Sequence, residues 1–199
     1  RPDPRDERDV KDLVRDNGWA LRHVPGVFRG HAKVVTQAVK DYGPVLEYVS
    51  DDLRQNREVA AKAIAQNGMS LMYASQKLRG DRGVVMRAVA SNGVALEFAS
   101  QALRNDCEVA LTAVEENAQA LKCIGELLKA DRSFLLQAVQ RNGRCLPFVP
   151  TEFRHDPEIV RLAVGRGRSA PAVPERGVGS SATSAERRPG RSPQRRAST

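Results

Sequence analysis

The sequence predicts an all-α protein: an α-solenoid of tandem 25-residue two-helix repeats with a disordered C-terminal tail. Three observations predict it. Apolar residues recur in register every 25 residues without an insertion, Asn-Gly pairs recur at the same period, and residues 165–199 contain almost no large apolar side chain. A fixed period of this length is the sequence signature of a repeat architecture. A segment that cannot bury a core stays disordered.

The repeat becomes visible when the chain is written in rows of 25 residues beginning at Asn17. One column then contains only leucine, another only alanine, and three more contain only aliphatic residues or phenylalanine. Six units fill residues 17–164. Residues 1–16 fit the second half of a further unit, so we expect a partial repeat with the second helix only. The leucine column is Leu21, Leu46, Leu71, Leu96, Leu121 and Leu146, and the alanine column is Ala38, Ala63, Ala88, Ala113, Ala138 and Ala163.

The second half of each unit predicts an amphipathic helix. In residues 106–117, DCEVALTAVEEN, the apolar side chains lie on one face of a helix with 3.6 residues per turn, and Asp106 is suited to cap its start. The Asn-Gly pair that follows in most units is expected to end this helix, with its glycine in the left-handed conformation. One unit has Asn117-Ala118 instead, so we expect a reshaped turn there.

The first half of each unit predicts the other helical piece, for example residues 93–103, GVALEFASQAL. Ser100 can cap a second short turn that ends at Leu103, and proline takes this serine position at Pro25 and Pro150. Helices of about ten residues are marginal alone. Neighbouring units must therefore share a continuous core, which defines a solenoid.

The string from Asn92 to Val114, NGVALEFASQALRNDCEVALTAV, resembles the repeat of the family called domain of unknown function 4116. Residues 42–116 match its pattern best, residues 117–164 match well, and residues 17–41 match more loosely. The resemblance implies tandem helical repeats. It brings no assigned activity and no catalytic residues to this chain.

The net charge of +8 is concentrated near the C-terminal end of the sequence. Residues 165–199 hold eight arginines and two acids, whereas residues 1–164 hold 24 basic and 22 acidic residues. A nearly neutral repeat region argues against a nucleic-acid face there. The basic tail is typical of a nuclear address or a nonspecific RNA tether. Ser192, which precedes a proline, and Ser198, which follows an Arg-Arg-Ala string, are candidate phosphorylation sites.

One basic residue recurs at the same position of every unit, and we call this column the arginine ladder. It has two interpretations: a ridge of cations that binds phosphates or an acidic peptide, or a set of structural cations. Structural partners would be an aspartate two residues later, backbone carbonyls, or Glu47 and Glu97 of the first helix. The near-neutral charge of the repeats favours the structural interpretation. The ladder consists of Arg29, Arg54, Arg79, Arg104, Lys129 and Arg154.

Columns that vary between units are the other candidates for binding, because shared columns of a solenoid build its core. Trp19, the only tryptophan, begins one such column. It is either an interface anchor or packs against an upstream unit. The column reads Trp19, Pro44, Met69, Val94, Gln119 and Arg144, and the candidate binding residues are Arg54, Arg79, Arg104, Lys129, Arg154 and Trp19.

The sequence contains no residue pattern typical of catalysis, of a metal site or of a cofactor site. Cys107, Cys123 and Cys145 form no CxxC pair, the three histidines form no HxxxH or HExxH spacing, and no phosphate-binding glycine loop occurs. We therefore expect no enzyme activity, no metal and no cofactor. The sequence predicts a non-catalytic scaffold that binds a protein partner. The alternative is nucleic-acid binding through the basic tail, the arginine ladder, or both.

Features that would place the chain in or across a membrane are absent from the sequence. It has no run of about 18 apolar residues and no charged-then-apolar leader, so we expect neither a transmembrane segment nor a signal peptide. Together with the sparse cysteines, this favours an intracellular location, cytoplasmic or nuclear. The leading half unit is expected to leave an apolar face, which makes self-association through uncapped ends a further prediction.

Overall fold

The computed structural model describes residues 7–167, and all regular elements in this range are helices. The predicted all-α repeat fold is confirmed. Each unit contributes one long helix of ten or eleven residues, and a further long helix precedes the first unit. The long helices are Glu7–Asp16, Ala32–Asp41, Arg57–Gln66, Arg82–Ser91, Cys107–Glu116, Arg132–Arg141 and Pro157–Gly167.

The first predicted piece of each unit is two short segments rather than one continuous helix. In the first four units a 3-10 helix comes first, and two extended residues then separate it from a four-residue α-helix; the fifth unit has three residues between them, and the sixth has turns in place of the four-residue helix. The break occurs where Ala99 and Ser100 adopt ψ angles of 157° and 153°, which no helix accommodates. The 3-10 helices are Gly18–His23, Gly43–Tyr48, Gly68–Tyr73, Gly93–Phe98, Ala118–Lys122 and Gly143–Phe148. The four-residue helices are Gly26–Arg29, Asp51–Arg54, Gln76–Arg79, Gln101–Arg104 and Glu126–Lys129.

The elements form two layers with the core between them. Each long helix packs against the long helix of the next unit, and each 3-10 helix packs against the next 3-10 helix. We call the layer of 3-10 and four-residue helices the short-helix layer. The leucine column lies between the layers and is at most 1% exposed in the first five units, and the alanine column is similarly buried. The shared columns therefore build the core, as a solenoid requires.

The Asn-Gly pair needs glycine because this residue lies very close to a carbonyl oxygen of the long helix, and not because its backbone is left-handed. None of these glycines has a φ in the left-handed region, so that expectation was wrong. A Cβ atom built on Gly68 would lie 2.5 Å from the carbonyl oxygen of Ala88, in the long helix of the same unit. The asparagine has its own role, since Asn67 Oδ1 accepts a hydrogen bond from the backbone N–H of Met69 and caps the 3-10 helix.

The unit that begins at Asn117 keeps the turn of the other units at Asn117, where a reshaped turn was expected, and differs instead at the far end of its 3-10 helix. Its 3-10 helix, Ala118–Lys122, is one residue shorter than the others, and Cys123 after it adopts helical angles instead of extended ones. Gly125 stands where three other units have serine, and its N–H donates to the carbonyl oxygen of Arg104 at 2.7 Å. The stack therefore continues through this unit with altered local geometry.

Backbone hydrogen bonds join the four-residue helices of successive units. In each case the residue that precedes the helix donates its N–H to the carbonyl oxygen of the ladder residue one unit earlier. Pro150 occupies this position in the sixth unit and has no N–H to donate. The donor and acceptor pairs are Ser50 and Arg29 (3.1 Å), Ser75 and Arg54 (3.4 Å), Ser100 and Arg79 (2.9 Å), and Gly125 and Arg104 (2.7 Å).

The two ends of the described region differ in character. In the helix Glu7–Asp16 the exposed side chains are charged except for Leu13, which is 37% exposed. Val164, in the last helix, is 57% exposed although its column is fully buried in the earlier units. This helix ends at Gly167, three residues beyond the predicted boundary. The rest of the predicted tail lies outside the described residues. No helix within residues 7–167 is long and apolar enough to cross a membrane.

Candidate functional site

The arginine ladder lies along the short-helix layer, and all six of its side chains are half-buried. Three of them use their guanidinium groups to hold backbone carbonyls. Arg29 Nε donates to the oxygen of Val24 at 3.1 Å, and Arg154 Nε donates to Val149 at 3.2 Å. Arg104 Nε instead reaches into the next unit and donates to the oxygen of Cys123 at 2.7 Å. These three side chains cap and connect chain segments, so at least the Nε–H donor of each is engaged.

Two ladder residues pair with an acid in their own four-residue helix. Lys129 Nζ lies 2.8 Å from Glu126 Oε1, and Arg54 forms an ion pair with Asp51. In both pairs the acid precedes the cation by three residues, a spacing that places two side chains on one face of a helix. The acids are largely exposed, so the pairs contribute little stability.

Arg79 is the ladder residue whose charge is not compensated within residues 7–167. Gln76 stands three residues before it, where Asp51 and Glu126 stand in other units. Its Nε atom is buried and has no hydrogen-bond acceptor among the described residues. Arg79 lines a surface depression of about 320 Å³ between two units, together with Arg54, Tyr73 and their neighbours.

The aspartates expected as partners of the ladder pair with a different set of arginines. These are the first residues of the long helices, and each reaches the capping aspartate of the following unit. Arg132 Nε lies 2.8 Å from Asp156 Oδ2, and Arg132 Nη2 lies 2.9 Å from Glu158 Oε2. The sequence shows these arginines one residue after the aspartate column, but only the stacking of units brings them together. The pairs are Arg57 with Asp81, Arg82 with Asp106 and Glu108, and Arg132 with Asp156 and Glu158.

These ion pairs lower the pKa values of the capping carboxylates. The guanidinium of Arg132, with help from two backbone N–H groups, lowers the pKa of Asp156 to about 2. The hydrogen bond from Arg57 likewise lowers the pKa of Asp81. This ion pair is missing where Cys107 stands at the position that arginine occupies in three other units. The aspartate that would be its partner, Asp131, instead accepts a hydrogen bond from the hydroxyl of Ser133 at 2.7 Å.

Trp19 packs against the unit that follows it. Its ring meets the ring of Tyr42 edge to face at a centroid distance of 5.0 Å, and the ring of Tyr48 at 6.0 Å. The guanidinium of Arg22 lies 5.6 Å from the same ring. The 3-10 helix that carries Trp19 also contacts the upstream helix Glu7–Asp16. Trp19 extends an aromatic surface on the short-helix layer.

The solvent-facing side of each 3-10 helix consists of its second and fifth residues, because side chains three apart eclipse in this helix. In the third unit both are methionines, Met69 and Met72, and we call this pair the methionine patch. Met72 is 40% exposed. Tyr73 follows it directly and lines the depression that holds Arg79. Burial first, and then the nearby Glu47 carboxylate, raise the pKa of Tyr73, so its hydroxyl stays a donor.

Groups suited to metal binding or covalent chemistry are sparse in the described region. Within residues 7–167, no three His, Cys, Asp or Glu side chains come together so that they could hold a metal ion. Burial raises the pKa of the Cys145 thiol to about 11 and also raises that of Cys123. Both thiols are therefore poor nucleophiles at neutral pH. Ser192 and Ser198 lie outside the described residues.

Comparison with known proteins identifies the repeat. The family model described as Domain of unknown function (DUF4116) matches four segments of the chain, namely residues 6–54, 32–79, 81–129 and 131–170. Searches among curated proteins and among solved structures found no match. Each matched segment spans between one and two 25-residue units, and together the segments cover most of the chain. The chain therefore belongs to the DUF4116 family, a family of repeat domains of unknown function.

Proposed function

We propose that this chain is a non-catalytic helical-repeat scaffold that binds a protein partner on its short-helix layer. The observation that carries the proposal is the third unit. There Met72 of the methionine patch is exposed beside Tyr73, and Tyr73 borders the depression that holds the uncompensated Arg79. Exposed methionines adapt to varied partner surfaces, and tyrosine and arginine are enriched at the centres of protein interfaces.

The other layer is less suited to this role. The long helices face solvent with mainly polar and charged side chains, several of which are engaged in the ion pairs between units. Such pairs stabilise the stack and leave few apolar side chains for a partner. The described repeats also carry close to equal numbers of acids and bases, which supports a protein partner over nucleic acid.

Affinity capture from cell extract with two matched variants tests this proposal. Met72→Glu places a carboxylate in the methionine patch, whereas Ala90→Glu places one on an exposed position of the long helix in the same unit. We expect a captured protein to fall about tenfold with Met72→Glu, as for an interface hot spot, and to be unchanged with Ala90→Glu. The captured protein is then purified and the binding repeated with both variants.

Two results would overturn the proposal. Equal loss with both variants would mean that the third unit does not present its short-helix layer to the partner. Recovery that disappears after nuclease treatment would mean that nucleic acid is the primary ligand. In that case binding should also weaken steeply with added salt, because counterions are released when phosphates are neutralised.

A further inference from the structure

One ladder cation differs from its five counterparts in how its charge is compensated. Arg29, Arg104 and Arg154 donate to backbone carbonyls, and Arg54 and Lys129 pair with acids in their own helices. Arg79 does neither within residues 7–167, and its Nε is buried without an acceptor, as is the Nε of Arg54. Leaving a half-buried charged donor unpaired costs free energy. What sets Arg79 apart from Arg54 and Lys129 is the missing acid three residues earlier, where Gln76 stands.

The surroundings of Arg79 are those of a small anion site. The depression of about 320 Å³ is lined by two guanidinium groups and one carboxylate, so its charged side chains carry a net positive charge. The carboxylate is Asp51, which is 83% exposed and already occupied by Arg54. Ser75 and Gln76 add neutral donors to the lining, whereas the hydroxyl of Tyr73 is hydrogen-bonded to the nearby Glu47 carboxylate. The depression has room for one planar anion among these donors.

We propose that Arg79, with Arg54 beside it, binds an aspartate or glutamate side chain of an acidic segment in the protein partner. This assignment rests on the proposed function, because the partner is the one that docks on the short-helix layer. A guanidinium group donates two parallel hydrogen bonds to a carboxylate, which makes the pair both strong and directional. Partial burial strengthens the pair because the local dielectric constant is below that of water.

The neighbouring methionine patch selects a peptide carboxylate over a phosphate. Tyr73 lines the depression and directly follows Met72, so an extended segment could place an apolar side chain on the methionines and an acid on Arg79. A nucleic-acid backbone would need several cations in a row. The other ladder cations already have acceptors, and one free guanidinium does not make a phosphate track.

Fluorescence anisotropy with the full chain tests the assignment. The probe is a labelled peptide of Leu-Glu-Glu repeats, and a second probe has glutamine at every glutamate. The variants are Arg79→Gln and Lys77→Gln, which each remove one positive charge from the same four-residue helix, although Lys77 is exposed and does not line the depression. The basic tail is identical in all three proteins, so its contribution cancels in the comparison.

We expect the glutamate peptide to bind about tenfold more weakly to Arg79→Gln, because about this much affinity is lost with one hydrogen bond between charged groups. Lys77→Gln should change the affinity less than about twofold, as for an exposed charge. The glutamine peptide should bind more weakly to the unchanged protein. In a nitrogen-15 spectrum, the Arg79 Nε–H signal should move as the glutamate peptide is added, which a merely structural role would not produce.

Three results would overturn the carboxylate site. If Arg79→Gln and Lys77→Gln lose the same affinity for the glutamate peptide, the binding is general electrostatic attraction and not a specific site. A glutamine peptide that binds as well as the glutamate peptide, and that is lost with Met72→Glu, would leave the proposed binding face intact without a carboxylate site. A labelled single-stranded RNA that binds more tightly than the peptide and depends on Arg79 would make it a phosphate site instead.

Discussion

Gly93 lies so close to Ala113 that a Cβ atom on the glycine would stand 2.1 Å from the alanine carbonyl oxygen. Real Cβ atoms do not approach a carbonyl oxygen so closely, so the 3-10 helix could not keep its present distance from the long helix with any other residue at this position. The same contact recurs in four other units, at 2.4 to 2.7 Å. Five of the six units therefore have a glycine that meets the end of their own long helix, and the fifth has Ala118 at this position.

Replacing Gly93 with alanine should destabilise the protein by about 1–3 kcal/mol, the usual cost of forcing an extra methyl group into a packed core. Thermal and urea unfolding of the full chain measure the change. Gly83→Ala is the matched control. Its new Cβ would meet only the ends of the Arg57 and Asp81 side chains, and alanine favours the helix in which Gly83 lies. Equal losses in the two variants would contradict this account of the glycine column.

Introducing arginine at Cys107 should restore the missing ion pair between units. In three other units an arginine at this position pairs with the capping aspartate one unit later, at 2.8 to 3.2 Å. Cys107→Arg should therefore stabilise the stack by about 0.2–1 kcal/mol, the range for exposed pairs. The gain should disappear in the double variant with Asp131→Asn. A gain that persists in the double variant would have another cause.

Substituting proline at Ser100 should weaken the connection between two units without straining the chain. Ser100 has φ −58°, which proline adopts readily, and Pro25 and Pro150 occupy the same column. The change removes the N–H that donates to Arg79 O at 2.9 Å and the side-chain cap. We expect a loss of about 1–2 kcal/mol.

Ser100→Ala is the control for the cap alone, because it keeps the backbone N–H. It should cost about 0.5 kcal/mol, since the cap is a long hydrogen bond. Chemical unfolding of both variants measures the difference. If the two variants lose the same stability, the backbone hydrogen bonds between units contribute nothing measurable.

Acidification should destabilise the stack through its capping carboxylates. Asp156 has a pKa of about 2 in the folded protein, mainly because Arg132 donates to it, whereas an unfolded aspartate has a pKa of about 3.9. A lowered folded-state pKa gives stability that is fully present above the unfolded value and is lost as the pH falls from about 4 to about 2. Thermal midpoints measured from neutral to acidic pH should fall over this window.

The variant Arg132→Gln should have a lower midpoint at neutral pH and a smaller fall on acidification, because the main cause of the low Asp156 pKa is gone. Arg141→Gln is the control, since Arg141 pairs with the exposed Glu115 and not with a capping aspartate. A pH dependence identical in the wild type and in Arg132→Gln would show that this ion pair does not contribute to acid sensitivity.

Two ladder arginines should respond differently to the same substitution. Arg104→Gln removes the 2.7 Å hydrogen bond to the Cys123 carbonyl and should cost about 1 kcal/mol. Arg79→Gln removes a half-buried charged donor without an acceptor and should leave stability unchanged or raise it. Urea unfolding of both variants tests this contrast. A large loss with Arg79→Gln would show that its guanidinium group is structural.

The candidate site could be predicted only in part from the sequence. The column of Met69 and the arginine ladder were recognisable because they recur every 25 residues. The sequence pointed to Trp19 as a single residue, but its contacts with Tyr42 and Tyr48 depend on how one unit stacks on the next. Nothing in the pattern separated Arg79 from Arg104, because the acceptors of the ladder cations include carbonyls that only the folded chain brings near.

The sequence by itself determined the 25-residue period, the buried faces of the long helices, their caps and the all-α fold. These features arise from local spacing and from apolar columns that each unit repeats. The tertiary structure decided the close contact that makes the glycines necessary. It also decided which arginines pair with the capping aspartates and which ladder cation lacks a partner. Those outcomes depend on atoms about one repeat apart in the chain, whose distances are set by the stacking of units and not by local propensity.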